Sequence, residues 1–183
     1  MRLIRSLLDP DVLMSEAAMA RDLPRAWRLK PVDGNLFFTE GKRQEYRRRI
    51  ADLRPESPRQ WGTMEVDQML HHLDLACGGS LGFYDVPDES DVLTRTVGKW
   101  TTVDWFQEQP VGLRLPRGFK IPRAQRFDFA HERAQLLTIV EAAWNARTDE
   151  AWKPHPLFGR MTVRQWGKLL QMHLDYHLRQ FAA

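Results

Sequence analysis

The sequence has a single cysteine, Cys77, among its 183 residues. One cysteine cannot form an intramolecular disulfide. Because there is no second cysteine, every zinc or redox motif built on a CxxC pair is excluded as well. A reduced, lone cysteine is typical of a cytoplasmic protein, and we expect that location. Any chemistry that uses a nucleophilic thiol would therefore need a small thiol from outside the chain.

Long apolar runs are missing as well. No segment approaches the roughly 18–20 consecutive apolar residues that a membrane-spanning helix requires. Residues 1–8 contain two arginines and several apolar side chains, but Asp9-Pro10-Asp11 ends this run too early for a secretory signal. The sequence therefore predicts a protein without a membrane partner.

The chain also lacks a strong excess of charge, with 27 Lys and Arg against 24 Asp and Glu and a net charge of +3. So small an excess argues against a nucleic-acid partner unless it is concentrated on one face. The densest basic cluster, residues 42–49, allows two interpretations. It is either a patch for phosphate or an acidic partner, or the solvated face of a helix that buries Tyr46, Ile50 and Leu53. The apolar spacing favours the second, and we expect no nucleic-acid partner.

Helical spacing dominates the pattern, and no convincing run alternates as a half-buried strand does. Four longer helices are predicted, over residues 39–53, 63–80, 127–147 and 162–181, the last opened by a capping box between Thr162 and Gln165. This predicts an all-α helical bundle over residues 39–183, preceded by an irregular extension, residues 1–38, with a short helix over 11–22. A long connection over 83–125, with a short helix over 91–107, separates the second and third helices.

The last predicted helix places polar side chains where a bundle normally buries leucine. Trp166, Leu170, His173, His177 and Gln180 follow one another in steps of 4, 3, 4 and 3, which is one inward-facing stripe. Each buried polar group left unpaired would cost about 1–3 kcal/mol. Two imidazoles four residues apart project side by side and commonly hold zinc or a similar metal. The spacing therefore predicts His173 and His177 as metal ligands.

A third ligand would have to come from another helix, and the second predicted helix contains His71 and His72. At about 100° per residue, His72 falls on the flank of the apolar stripe and His71 further round. His72 is therefore the better candidate, and His71 is expected at the surface, paired with Asp67 one turn back. His155, between two prolines, is either a structural turn residue or overhangs the site. His131 is expected to face solvent.

Four short segments stand out together: Trp-Gly-x-Met at 61–64, Gln-Met-Leu-x-His-Leu at 68–73, His-Pro-x-Phe-Gly at 155–159 and His-Leu-x-x-His-Leu-Arg-Gln-Phe at 173–181. In combination they resemble an uncharacterised branch of the DinB/YfiT-like superfamily, and the resemblance covers about residues 36–181. It implies a four-helix bundle in up-down-down-up order and a homodimer. The resemblance also implies a bound divalent metal, such as zinc or nickel. The ligands that it implies are His72, His173 and His177, and Gln180 and His155 are candidates to support these ligands.

One departure from the resemblance concerns an acidic residue. Many members of the superfamily have an aspartate three residues after the histidine of the second helix, where this chain has Leu75. The neighbouring Asp74 is expected to point elsewhere. We also expect no Asp or Glu on the inner stripes of the second, third and fourth helices, so the sequence names no general base.

Two classes of function follow. The first is a metal-dependent enzyme that acts on a small molecule, either by hydrolysis or by transfer of a low-molecular-weight thiol. The missing base favours thiol transfer, in which the metal itself activates the nucleophile, and Arg114 and Arg117 either hold an anionic thiol or lie in an exposed loop. The second is a non-catalytic stress-response or ligand-binding bundle, with a structural metal or none.

Overall fold

The computed structural model describes residues 32–109 and 116–183, and every regular element in these two ranges is helical. Within them there is no β-strand, only an isolated bridge between His155 and Gly159. The all-α prediction is thus confirmed for the described ranges. Residues 32–109 and 116–183 contain four α-helices, α1 (Glu40–Asp52), α2 (Val66–Leu81), α3 (Phe129–Asn145) and α4 (Val163–Gln180).

Two helix starts show how local hydrogen bonds set the boundaries. The capping box of α4 is confirmed, because Gln165 N donates to Thr162 Oγ1 at 3.2 Å and Thr162 N donates to Gln165 Oε1 at 3.0 Å. The predicted start of α2 at residue 63 is wrong. Gln68 Oε1 accepts from the backbone N–H of Glu65 at 2.9 Å, so the helix begins only after Glu65.

Residues 82–128 connect α2 to α3. The short helix predicted over 91–107 is present, wound as two π-helical segments, Thr94–Gly98 and Trp100–Trp105. The second segment is tied to α4, because Lys168 Nζ donates to the carbonyl oxygen of Asp104 at 2.7 Å and Gln165 Nε2 donates to its carboxylate at 3.0 Å. Residues 110–115 lie outside the described ranges, and with them Arg114, for which the sequence left open a bound anionic thiol or an exposed loop.

The helices pack pairwise around one apolar core. α2 lies against α3, α1 against α3, and a 3-10 helix, Gly34–Phe38, lies against α4. That last approach depends on glycine, because a Cβ added at Gly167 would lie 2.2 Å from the carbonyl oxygen of Gly34. The fully buried core side chains include Phe37, Tyr46, Ile50, Met69, Leu70, Leu73, Leu136, Ile139, Leu174 and Leu178.

The division of the chain at residue 38 stays a prediction, because residues 1–31, with the helix expected over 11–22, lie outside the described ranges. The residues of the 3-10 helix nearest this boundary, Phe37 and Phe38, are buried in the core. Among the described helices, none combines the length and apolarity needed to span a bilayer.

The basic cluster of residues 42–49 lies on α1 and is largely paired with acids of neighbouring helices. Arg43 binds Glu141 of α3 at 2.6 Å, and Arg49 binds Asp175 of α4 at 2.5 Å. Tyr46 and Ile50 of the same helix are fully buried. These contacts support the interpretation of the basic cluster as the outer face of a helix that packs on the core. Its arginines also join α1 to α3 and α4.

Candidate metal centre

Three of the six histidines meet between α2 and α4. His72 of α2 and His173 and His177 of α4 each offer a ring nitrogen, and these atoms lie within 4.8 Å of one another. The Nε2 atoms of His72 and His173 are 3.0 Å apart, and the three ring centroids are separated by 4.9–5.0 Å. His72 and His177 are buried, whereas His173 is half-buried.

This spacing suits a shared metal ion. Zinc binds imidazole nitrogen at about 2.0–2.1 Å, and tetrahedral angles then place two ligand nitrogens about 3.3 Å apart. The 3.0 Å between His72 and His173 is close to that value. Three nitrogens so arranged can hold one divalent ion.

The tautomer of His72 is set by a backbone carbonyl. Its Nδ1 lies 3.3 Å from the carbonyl oxygen of Phe119, at the end of a 3-10 helix, Arg117–Phe119, in the α2–α3 connection. A carbonyl can only accept, so Nδ1 carries the proton and Nε2 is left with its lone pair. That lone pair is on the side of the ring that faces His173. Metal-ligating histidines are typically oriented by this kind of hydrogen bond.

His177 is oriented by Gln180 in the same way. The amide of Gln180 donates from Nε2 to the carbonyl oxygen of Trp61 at 2.8 Å, which leaves its Oε1 to accept from His177 Nδ1 at 3.0 Å. The Nε2 of His177 is then unprotonated. The loop that carries Trp61 comes so close that a Cβ added at Gly62 would lie 2.5 Å from Gln180 Nε2, and the φ of Gly62 is +80°. This contact gives the Trp-Gly segment a physical role beside the cluster.

Burial keeps all three rings neutral at ordinary pH. It lowers the pKa of His72 to about 4 and that of His177 to about 3, because a buried imidazolium loses its hydration. The pKa of His173 lies well below its ordinary value, first through burial and then through the neighbouring histidines. Neutral imidazole is the form that binds metal.

His155 lies close to this cluster but is not grouped with its ligand atoms. Its Nδ1 accepts the backbone N–H groups of Leu157 and Phe158 at 3.1 and 3.2 Å, so it stabilises its own turn. It also lies near enough to His173 for the two rings to interact electrostatically. The role as a turn residue is therefore confirmed, whereas a role for His155 in supporting the site stays a prediction.

The expected pairing of His71 with Asp67 is wrong. His71 Nδ1 lies 2.9 Å from the carboxylate of Glu132 on α3. Asp67 instead accepts from Arg126 Nε at 3.0 Å and from the backbone N–H of Phe127 at 2.9 Å. His71 is also only partly exposed, because its ring stacks on Phe127 at a centroid distance of 3.8 Å. His131 is exposed, as expected.

The expectation that α2 and α3 carry no inward acid is also wrong. Asp74 is fully buried and Glu132 nearly so, at the contact of α2 with α3. Burial raises the pKa of Asp74 well above its ordinary value, and the neighbouring Glu132 raises it further, so the Asp74 carboxyl group is neutral at ordinary pH. Two residues along a helix turn the side chain by about 200°, which puts Asp74 on the side of α2 opposite His72. The pair was missed because acids are rarely buried unless paired, and the partner lies on another helix.

The described ranges are all-helical, and three histidines meet between two of their helices; this combination defines the class of protein. The chain belongs to the family described as "Protein of unknown function (DUF1569)", which matches residues 34–183. Neither the curated proteins nor the solved structures contain a match to the chain.

Proposed function

We propose that His72, His173 and His177 bind one divalent metal ion, zinc, nickel or similar. The observation that carries this proposal is the convergence of three neutral imidazoles, two of them with the proton fixed on the nitrogen that faces away from the cluster. We further propose that the helices form the four-helix bundle, in up-down-down-up order, that the DinB/YfiT-like resemblance implies. The homodimer and the cytoplasmic location stay predictions.

Three protein ligands support a catalytic rather than a structural role. Structural zinc sites are closed by four protein ligands, whereas catalytic sites keep a position for water or substrate. A metal at such a site supplies a water of lowered pKa or activates a bound thiol or carbonyl. His173 is half-buried, so one of the three rings keeps contact with solvent. We propose a metal-dependent enzyme, either a thiol S-transferase or a hydrolase.

The choice between these reactions depends on the general base. In the described ranges, the three candidate ligand atoms that lie close together all belong to histidines. The buried acidic residue nearest to these histidines in the sequence is Asp74, which faces α3. Thiol transfer needs no separate base when the metal binds the thiolate, so this arrangement favours it. Cys77 cannot be that thiol, because it is buried and burial raises the pKa of its thiol strongly. The nucleophile would be a low-molecular-weight thiol.

One observation favours a non-catalytic alternative. The 3.0 Å contact between the Nε2 atoms of His72 and His173 is also the length of a hydrogen bond between two neutral imidazoles. A ligand-binding or stress-response bundle could therefore satisfy these buried rings without a metal.

A turnover screen separates these functions. Untagged, metal-loaded protein is assayed with a panel of small thiols and electrophiles, and separately with esters and amides without thiol, each with and without chelator. We expect thiol-dependent turnover that chelator abolishes and that His173→Ala lacks. Hydrolysis without thiol would select the hydrolase instead. A full metal complement without turnover in either panel would favour the non-catalytic bundle.

Gly62→Ala is expected to weaken metal binding by about 10–100-fold, the usual effect of losing the partner that orients a metal ligand. A methyl group at this position would collide with Gln180 Nε2. The backbone φ there is also positive, which residues other than glycine disfavour. The displaced amide would no longer orient His177. Competition with a chelating dye measures the affinity.

The matched control is Gly41→Ala, because a Cβ at Gly41 meets nothing within 4 Å. This variant should bind metal as wild type does. Equal affinity in both alanine variants would contradict the role assigned to Gln180.

A further inference from the structure

His155 presents a fixed N–H group beside the cluster. Its Nδ1 accepts two backbone N–H groups of its own turn, so the proton of the neutral ring is on Nε2. In this tautomer Nε2 cannot bind a metal, because its lone pair is occupied by the proton. His155 can therefore donate a hydrogen bond near His173 but cannot act as a fourth ligand.

The ring of His155 is held firmly in that orientation. It stacks on Phe158 with centroids 4.5 Å apart and an interplanar angle of 15°, and the ring of Trp166 lies 5.6 Å away. Together with the two backbone hydrogen bonds, these contacts fix where Nε2–H points.

Trp166 contributes a second N–H donor. Its side chain is 2% exposed, and its buried Nε1 has no hydrogen-bond partner among the described residues. It shares the inward stripe of α4 with His173, two turns further on, and it stacks on Trp152 at 5.2 Å. A buried donor without an acceptor is uncommon in native proteins and indicates a ligand, an ion or a water that pairs with it.

We infer that His155 and Trp166 form a pair of N–H donors that binds a carboxylate or carbonyl oxygen of the substrate beside the metal ion. The inference rests on the proposed function and restricts the chemical class of the substrate. The molecule that binds the metal, through sulfur in thiol transfer, would also carry an oxygen acceptor for these two donors. Both donors are neutral and immobile, and donors fixed before binding need no reorganisation to receive such an oxygen.

Two thiols that differ by one group test this inference. Mercaptoacetate and ethanethiol both bind a metal through sulfur, but only mercaptoacetate carries a carboxylate. The protein is loaded with Co²⁺, and each thiol is titrated by the sulfur-to-cobalt absorption. We expect Trp166→Phe, which keeps the stacking on Trp152, to weaken mercaptoacetate binding by about 3–10-fold, the effect of one lost hydrogen bond. Its binding of ethanethiol and its cobalt content should match wild type.

A second variant addresses the other donor. His155→Asn keeps an oxygen that can accept the backbone N–H groups of the turn, because asparagine readily forms such turns, and it removes the Nε2–H. We expect the same selective loss of mercaptoacetate binding. The control is Trp144→Phe, which deletes another unpaired buried indole N–H, on α3 beside Arg43 and Arg147. It should leave both thiols unaffected.

The outcomes are distinct. Unchanged mercaptoacetate binding in Trp166→Phe and His155→Asn would overturn the donor pair while leaving the metal site intact. An equal loss for both thiols would overturn it too, because the residues would then support the metal itself. A wild-type protein that takes up no cobalt would overturn the proposed function first, and the donor pair with it.

Discussion

Replacing His173 with alanine is expected to abolish stoichiometric metal binding, the largest effect that the site predicts. Wild-type protein should carry one ion per chain. With His173 gone, two imidazoles remain, one from α2 and one from α4, and we expect the affinity to fall by at least ~100-fold. Loss of an outer hydrogen-bonding partner alone costs about 10–100-fold, and a ligand contributes more. Elemental analysis of untagged protein and competition with a chelating dye measure both quantities.

The matched control is His131→Ala. His131 is exposed on α3, so its loss tests whether any histidine recruits metal nonspecifically. This variant should retain one ion per chain. Substoichiometric metal in the wild type, or equal affinity in the two alanine variants, would contradict the proposed site.

Metal addition is expected to raise the melting temperature by roughly 5–10 °C. A ligand that binds only the folded state at 100 times its Kd adds about 2.7 kcal/mol of stability. In a protein of this size, each kcal/mol shifts the melting temperature by about 2–4 °C. The ligands come from α2 and α4, and His72 and His173 are 101 residues apart in the chain, so unfolding separates them. Differential scanning calorimetry with zinc or with chelator measures the shift.

His173→Ala serves as the control here too, and its melting temperature should be the same with zinc and with chelator. If the wild type melts at one temperature under both conditions, the rings of His72 and His173 are satisfied by each other. The non-catalytic alternative would then be favoured.

Much of the architecture could be predicted because it depends on local spacing. The start of α4 depends on Thr162 and Gln165, which are three residues apart, and the side-by-side placement of His173 and His177 follows from the helical repeat. The choice of His72 over His71 as a candidate ligand used the same repeat. The start of α2 was misplaced by three residues because Glu65 and Gln68 form a capping box that competes with Thr63.

The buried acids show where local reasoning fails. The helical repeat shows that Asp74 and His72 lie on opposite sides of α2, but not which neighbour each side meets. That Asp74 meets Glu132, and that Glu132 also pairs with His71, depends on how α2 packs on α3. A buried carboxyl group is costly without a partner or a proton, and Glu132 lies 58 residues from Asp74 and 61 residues from His71 in the chain.

By itself, the sequence predicted the helical class of the described ranges and the candidate metal ligands, since both depend on side chains within one or two helical turns. Only the tertiary structure decided which nitrogen of each ring is available. That depends on the Phe119 carbonyl for His72, and on Gln180 and the Trp61 carbonyl for His177. Among the described residues, the tertiary structure likewise leaves the buried Nε1 of Trp166 without an acceptor. In a neutral imidazole, the nitrogen that faces a hydrogen-bond acceptor carries the proton. These acceptors come close to the rings only when distant segments of the chain fold together.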